Sequence, residues 1–219
     1  MTDFRKITPM DIAGIRKEYK LQQLREADVN PDPFLQFQDW FKSAIDAKVN
    51  EPNAMNLSTI KASGRPSSRI VLLKGVEEKG FVFYTNYESD KGHQLLQHPY
   101  ASLCFFWPEL ERQIRIEGQV AKVPPTVSDD YFNSRPLASR LGAWASPQSQ
   151  IISGRESLEK RLEDVKNKFT LDVPRPEHWG GYKLVPDYIE FWQGRESRLH
   201  DRIIYTLDGK KWVINRLAP

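Results

Sequence analysis

The sequence predicts a mainly β protein, an antiparallel barrel with peripheral helices. Short apolar runs of strand length recur along the 219 residues, separated by turn signals such as Ser63-Gly-Arg-Pro66 and Lys79-Gly80. Helical periodicity is confined to a few isolated stretches, whereas a doubly wound parallel sheet would alternate strand and helix regularly. The Gly-x-Gly-x-x-Gly fingerprint and the Walker phosphate loop are both missing, so any nucleotide cofactor must be held by side chains on strands.

Residues 1–30 are charged and mixed, and admit a short helix over 11–24; residues 31–219 are expected to form a single domain. Asp32-Pro33 reads as a helix start with proline at the first helical position. Phe34, Phe37, Phe41 and Ile45 follow at helical spacing and carry the helix to about Val49. Strands are expected at 54–60, 69–76, 81–85, 102–107 and 113–123, with a short helix over 90–98. Ser153-Gly-Arg-Glu156 reads as a capping box, serine at the N-cap and glutamate three residues on. Leu158, Leu162, Val165 and Phe169 continue that helix, and Pro174 and Pro176 close it. The remaining strands are expected at 181–185, 188–193, 202–207 and 211–217. Asp208-Gly209 forms the last hairpin turn, of the type that favours positive φ at both positions.

The chain carries 32 basic and 29 acidic residues, a net charge of +3. That excess is too small for nucleic acid, which asks for a basic stripe on one face, and suits a small anionic ligand better. The single cysteine, Cys104, rules out an internal disulfide framework and fits a reducing compartment. Its apolar neighbours make it a buried filler. No secretory apolar region opens the chain and no window nears the ~18 apolar residues of a membrane span, so a soluble, cytoplasmic protein is expected. The four histidines include no i, i+4 pair and have no cysteine partner, which argues against zinc. No Gly-x-Ser-x-Gly elbow is present. His98 and His178 read as packing or turn residues.

The densest polar cluster is Glu190-Phe-Trp-Gln-Gly-Arg-Glu-Ser-Arg-Leu-His-Asp-Arg202, set between two apolar runs. It is either a ligand-facing site or a solvated hairpin end; in strand geometry Arg198, His200 and Arg202 would share one face. Arg69 and Lys74 bracket an apolar strand and, an odd number apart, should face opposite sides. Lys91 at the start of a short helix would suit a phosphate, or is a surface lysine. Gln113 could both donate to and accept from a heteroaromatic ring edge, and Arg115 with Glu117 reads as a cross-strand surface pair. Tyr131, Arg135 and Ser139, at i, i+4 and i+8, would line one helix face as a phosphate grip, although Pro136 is placed to end that helix.

Several ordered segments together resemble the pyridoxine/pyridoxamine 5′-phosphate oxidase family. They are Arg69-Ile-Val-Leu-Leu-Lys74, Phe83-Tyr-Thr-Asn86, Glu111-Arg-Gln113, Tyr131-Phe-Asn-Ser-Arg-Pro136, Gly142-Ala-Trp-Ala-Ser146, Trp179-Gly-Gly181, Trp192 to Arg202, and the terminal Arg216-Leu-Ala-Pro219. The resemblance implies an FMN-binding split β-barrel, working as a homodimer with flavin in the subunit interface. It implies oxidation of pyridoxine 5′-phosphate and pyridoxamine 5′-phosphate to pyridoxal 5′-phosphate by hydride transfer to FMN, O₂ being reduced to H₂O₂, as the last step of vitamin B6 cofactor synthesis. By that likeness FMN is held by Arg69, Ile70, Val71, Leu72, Leu73, Lys74, Tyr84, Thr85, Lys91, Gln113, Gln148, Ser149, Trp192 and Arg202. Substrate phosphate falls to Lys74, Tyr131, Arg135 and Ser139, while Arg198 and His200 meet the pyridine ring as the catalytic pair. Arg16 and Tyr19 form a mobile lid within 1–30. Asp90 departs from the family, which usually has a basic residue there, and implies weaker FMN binding; Pro147 is a second departure. Another split-barrel flavoprotein, of the flavin-reductase or haem-handling kind, and a non-catalytic FMN or pyridoxal-phosphate carrier are the competing readings.

Overall fold

The computed structural model describes residues 18–169 and 172–219. Arg16 and the first half of the helix expected over 11–24 lie outside them; the half that is described, 18–24, is not helical. Among the described residues nine strands form one antiparallel sheet: β1 (Ala54–Ile60), β2 (Pro66–Leu72), β3 (Gly75–Glu77), β4 (Gly80–Asn86), β5 (Tyr100–Trp107), β6 (Arg112–Lys122), β7 (Trp179–Gln193), β8 (Asp201–Asp208) and β9 (Lys211–Leu217). The order is β2-β1-β5-β6-β7-β4-β3, with β8 on β7 and β9 on β8. Five described α-helices surround it: α1 (Pro33–Asp46), α2 (Asp90–Gln97), α3 (Pro125–Ser134), α4 (Leu137–Ala145) and α5 (Arg155–Lys168). The expected mainly β architecture with peripheral helices is the one observed.

Strand β7 organises the sheet. One edge pairs with β6 along most of its length, while the other is shared, Trp179 to Leu184 bonding β4 and Tyr188 to Gln193 bonding β8. The register slips between Glu117 and Gly118, opposite Pro186 and Tyr188, so a β-bulge sits where the sheet forks. A Cβ on Gly118 would lie 2.1 Å from the Val185 carbonyl, so only glycine lets the strands approach there. The two strands expected at 181–185 and 188–193 are therefore one strand, because the bulge accommodates Pro186 without interrupting it.

The inner face buries Leu57, Leu103, Phe105, Ile114, Ile116, Ile189, Phe191, Ile203 and Tyr205. Helix α1 closes this core, its N-cap Asp32 Oδ1 accepting from Phe34 N at 2.8 Å as the sequence predicts. Its buried face is Phe34, Phe37, Trp40 and Ala44, with Ile45 exposed, a rotation from the expected stripe. The cause is Trp40, which meets Phe191 edge-on at 5.1 Å and carries more apolar area than Ile45 could.

Other expectations are corrected locally. α5 starts at Arg155 with Gly154 at its cap and no side-chain cap; the Ser153 box does not form, and the Ser157 hydroxyl donates back to Gly154 O instead. The last hairpin closes at Asp208–Lys211, leaving Gly209 and Lys210 as the loop with Gly209 alone at positive φ, +60°. Cys104 is half-buried on the outer face of β5 rather than in the core, because Leu103 and Phe105 take the inward positions.

α2 is docked by its glycine. A Cβ at Gly92 would stand 2.0 Å from the Tyr87 carbonyl oxygen, and the backbone cannot yield as a side chain would. Gly92→Ala is expected to destabilise the fold by about 1–3 kcal/mol and to displace Lys91. Urea titration checks the first effect; an unchanged midpoint would show that the contact is slack.

Candidate functional site

A cavity of about 1040 Å³ opens between β2, β4 and the α3–α4 pair. Arg69, Ile70, Val71, Leu72, Lys74, Tyr84, Thr85, Lys91, Tyr131, Arg135, Ser139, Gln148 and Ser149 all line it. Leu73 does not; it is buried in the main core. Arg69 and Lys74 thus share one cavity rather than facing opposite sides. β2 ends at Leu72, and the chain turns as Leu73 N bonds Asn53 O and Lys74 N bonds Val82 O, so strand parity no longer applies. Likewise Tyr131, Arg135 and Ser139 are not on one helix, since Arg135 caps α3 and Pro136 precedes α4. The bend still turns all three inward.

One wall is aromatic. Tyr84 stacks on Tyr131 at 3.8 Å and on Trp179 at 5.6 Å, and the Arg135 guanidinium lies 4.5 Å over the Trp179 ring. A Cβ on Gly181 would come within 2.9 Å of the Tyr84 ring, which gives the Trp-Gly-Gly motif its reason: glycine lets the ring lie across β7. Arg135 Nη1 is buried without a hydrogen-bond partner. An unpaired buried guanidinium N–H is costly, and it points to an anionic ligand.

The other end of the cavity holds Lys91. Its Nζ donates to Thr85 Oγ1 (3.1 Å), Ser89 Oγ (3.2 Å) and Gln148 Oε1 (3.2 Å), all neutral acceptors. Burial, then the Arg69 charge, push its pKa down to about 8, while Asp90 opposes the shift. A bound phosphate would keep Lys91 protonated. Phosphate affinity is therefore expected to be full below pH 8 and to fall by up to about tenfold per unit above it. FMN titrations across that range check this, and Lys91→Met should flatten the profile. Asp90 is exposed and also lines the cavity; Asp90→Arg is expected to tighten binding of FMN, the cofactor that the sequence resemblance implies, and an unchanged or higher dissociation constant would refute that.

A second cluster lies at the far end of β7. Gln113, Trp192 and Arg202 are in register across β6, β7 and β8. His200 lies 4.5 Å from Trp192 by ring centroids, and Tyr19 meets both edge-on at 5.8 and 5.9 Å. His200 Nδ1 accepts from Arg195 N at 3.0 Å, so the ring proton of the neutral form sits on Nε2. Burial first, then Arg198, lower its pKa, against Asp201. His200 is thus a neutral Nε2–H donor at physiological pH. Ser197 and Arg198 are both left-handed, φ 57° and 61°, a strained turn that leaves Arg198 exposed.

Arg202 is engaged by Glu190, Nε at 2.8 Å and Nη2 at 3.1 Å, and by Ala218 O at 3.0 Å. Arg115 and Tyr188 bond the same carboxylate. Arg115 also bonds Glu117 on its own strand, so the expected cross-strand pair is a network centred on Glu190. His178 Nε2 lies 3.1 Å from Ala143 O beside Trp144, a packing residue as read. Among the described residues no cluster of His, Cys, Asp or Glu could hold a metal ion, and no helix is long and apolar enough to cross a membrane.

Residues 41–169 match the family described as pyridoxamine 5′-phosphate oxidase, and residues 179–219 match the pyridoxine 5′-phosphate oxidase C-terminal dimerisation region. The chain belongs to the pyridoxamine 5′-phosphate oxidase family. Relatives named pyridoxine/pyridoxamine 5′-phosphate oxidase include one from Paraburkholderia phymatum, 59% identical over 95% of this chain and 99% of its own. Another, from Burkholderia cenocepacia, is 58% identical over the same shares. Among solved structures, PhzG from Burkholderia lata, in complex with tetrahydrophenazine-1-carboxylic acid, superposes with TM-score 0.86 at 31% identity, covering 91% of this chain and all of that one. A pyridoxamine 5′-phosphate oxidase-related, FMN-binding protein from Nostoc punctiforme shares the fold at 19% identity and TM-score 0.69, covering 84% and 97%. The fold is the split barrel of this family.

Proposed function

We propose that this protein is an FMN-dependent oxidase that converts pyridoxine 5′-phosphate and pyridoxamine 5′-phosphate to pyridoxal 5′-phosphate, with O₂ as the final acceptor, in a cytoplasmic homodimer. The observation that carries the reading is the cavity whose buried Arg135 Nη1 has no partner, beside Lys74, Tyr131 and Ser139. The donor set suits two anionic groups. Lys91 with Thr85, Gln148 and Arg69 would hold the FMN phosphate, and Arg135 with Lys74, Tyr131 and Ser139 the substrate phosphate. Bound FMN would supply the redox chemistry, taking a hydride from the substrate and returning the electrons to O₂ as H₂O₂.

The protein's own residues would bind and orient. The Tyr84–Tyr131–Trp179 stack offers a flat wall for a planar ring. Arg198 would hold charge beside the pyridine ring, and His200 would donate from Nε2; with Nδ1 occupied, it orients rather than abstracts. Tyr19 would cover the ring; Arg16, expected beside it, lies outside the described residues. Trp179 and Trp192 stand near opposite ends of one 15-residue strand, up to about 40 Å apart at ~3.3 Å per residue. The cavity and the His200 cluster would therefore meet only across a subunit interface, with Gln113, Trp192 and Arg202 supplied by the partner.

The test is direct. Purified protein should show flavin absorbance and form pyridoxal 5′-phosphate from pyridoxine 5′-phosphate while consuming oxygen. Tight binding of FMN and pyridoxal 5′-phosphate without turnover would make it a carrier, and a colourless protein inactive after FMN addition would overturn the reading.

A further inference from the structure

We propose that Glu111 is a positioning residue that seats Tyr19 over the His200–Trp192 pair, an inference that rests on the functional reading above. Glu111 closes the β5–β6 turn with left-handed backbone, φ 55°, and is only 3% exposed. An acid at a hairpin tip would ordinarily point to water; this one is turned inward. Its Oε2 accepts from Lys20 N at 2.8 Å and Leu21 N at 3.1 Å. Its carbonyl oxygen accepts from Gly194 N at 2.7 Å and Gln193 Nε2 at 3.2 Å. One residue thus ties the segment entering the fold to the end of β7.

Tyr19 immediately precedes the two amides that Glu111 holds. A Cβ on Gly194 would fall 2.7 Å from Tyr19 Cγ and 3.0 Å from Glu111 Cβ, so the glycine is the floor on which both rest. Two adjacent backbone N–H groups aimed at one carboxylate fix the direction of the chain there, and with it the direction of the preceding side chain. The neighbouring Arg112 reinforces the tie, its guanidinium bonding both Gln22 and Gln193. The seat of Tyr19 is therefore set from the β5–β6 turn, a part of the chain remote from it in sequence.

The experiment uses the FMN-loaded protein with Glu111→Ala, Glu111→Gln, Tyr19→Ala and the Glu111→Ala/Tyr19→Ala double variant. Glu111→Ala is expected to raise KM for pyridoxine 5′-phosphate about tenfold with flavin content retained. Glu111→Gln, which keeps an oxygen acceptor for the two amides, should recover most of the loss. In the Tyr19→Ala background the Glu111 change should add nothing. Trypsin cleavage after Lys20 reads the seat without catalysis and should quicken about tenfold in Glu111→Ala. An unchanged KM in Glu111→Ala, or the same rise with and without Tyr19, overturns the proposal. If Glu111→Ala does not fold, Glu111→Ser, which also withdraws the carboxylate from the two amides, takes its place in the same cycle and in the trypsin comparison. If the wild-type protein oxidises nothing yet the trypsin difference is present, the functional reading fails and the seat stands; equal cleavage rates refute the seat.

Discussion

Arg135→Ala is expected to raise KM for pyridoxine 5′-phosphate by about 100-fold, a loss of about 3 kcal/mol of charge-assisted binding. Arg135 has a buried Nη1 with no protein partner and a guanidinium stacked on Trp179, so a ligand phosphate would gain its bonds without breaking others. The phosphate is remote from the reacting carbon, so most of the loss should fall on KM rather than kcat. Arg135→Lys should recover little, because an ammonium neither stacks on Trp179 nor offers a two-pronged donor. Pyridoxine without its phosphate is the control, since the variant should distinguish it far less from the phosphorylated substrate. Steady-state kinetics with both compounds settle the matter, and an unaltered preference would remove Arg135 from the phosphate site.

The largest stability effect is expected at Glu190. The residue is 1% exposed, and its carboxylate accepts from Arg202, Arg115 and Tyr188. Glu190→Ala would leave the Arg202 guanidinium without its counter-charge and Arg115 with Glu117 alone, and should cost about 3 kcal/mol of stability. Burial raises the carboxyl pKa, but the bonds from Arg202 and Tyr188 and the charges of Arg202 and Arg115 outweigh it, leaving the pKa below its usual value. A depressed carboxylate contributes fully above its unfolded pKa and loses its contribution as pH falls through the folded value. The penalty of Glu190→Ala should therefore be greatest near neutrality and shrink in acid. Urea denaturation at the two pH extremes would expose the difference; a constant penalty would mean that Glu190 acts through packing alone.

What was legible in the sequence was mostly local. The Asp32-Pro33 start of α1 needs only its own first turn, and it appears as expected. The gathering of Tyr131, Arg135 and Ser139 was also legible, though by way of a bend at Pro136 and not a single helix face. Parity placed Arg69 and Lys74 apart, because the bonds that end β2 come from Asn53 and Val82, and no local pattern encodes them. The structural roles of Glu111 and Glu190 are not legible inside their motifs, since an acid on a strand or turn reads as solvent-facing until its distant partners are known. His200 stands out by its residue type, but its tautomer depends on the Arg195 amide, which only the folded turn brings to the ring.

The fork in β7 has a consequence for genetics. Because Arg135 belongs to the cavity and Arg198 to the cluster beyond the bulge, a symmetric pair of chains would draw the two residues of each site from different copies. A chain with Arg135→Ala and a chain with Arg198→Ala, each nearly inactive alone, should rescue one another when produced in the same cell. About half of the dimers would then be mixed, and every mixed dimer would gather both lesions into one site and leave the other site whole.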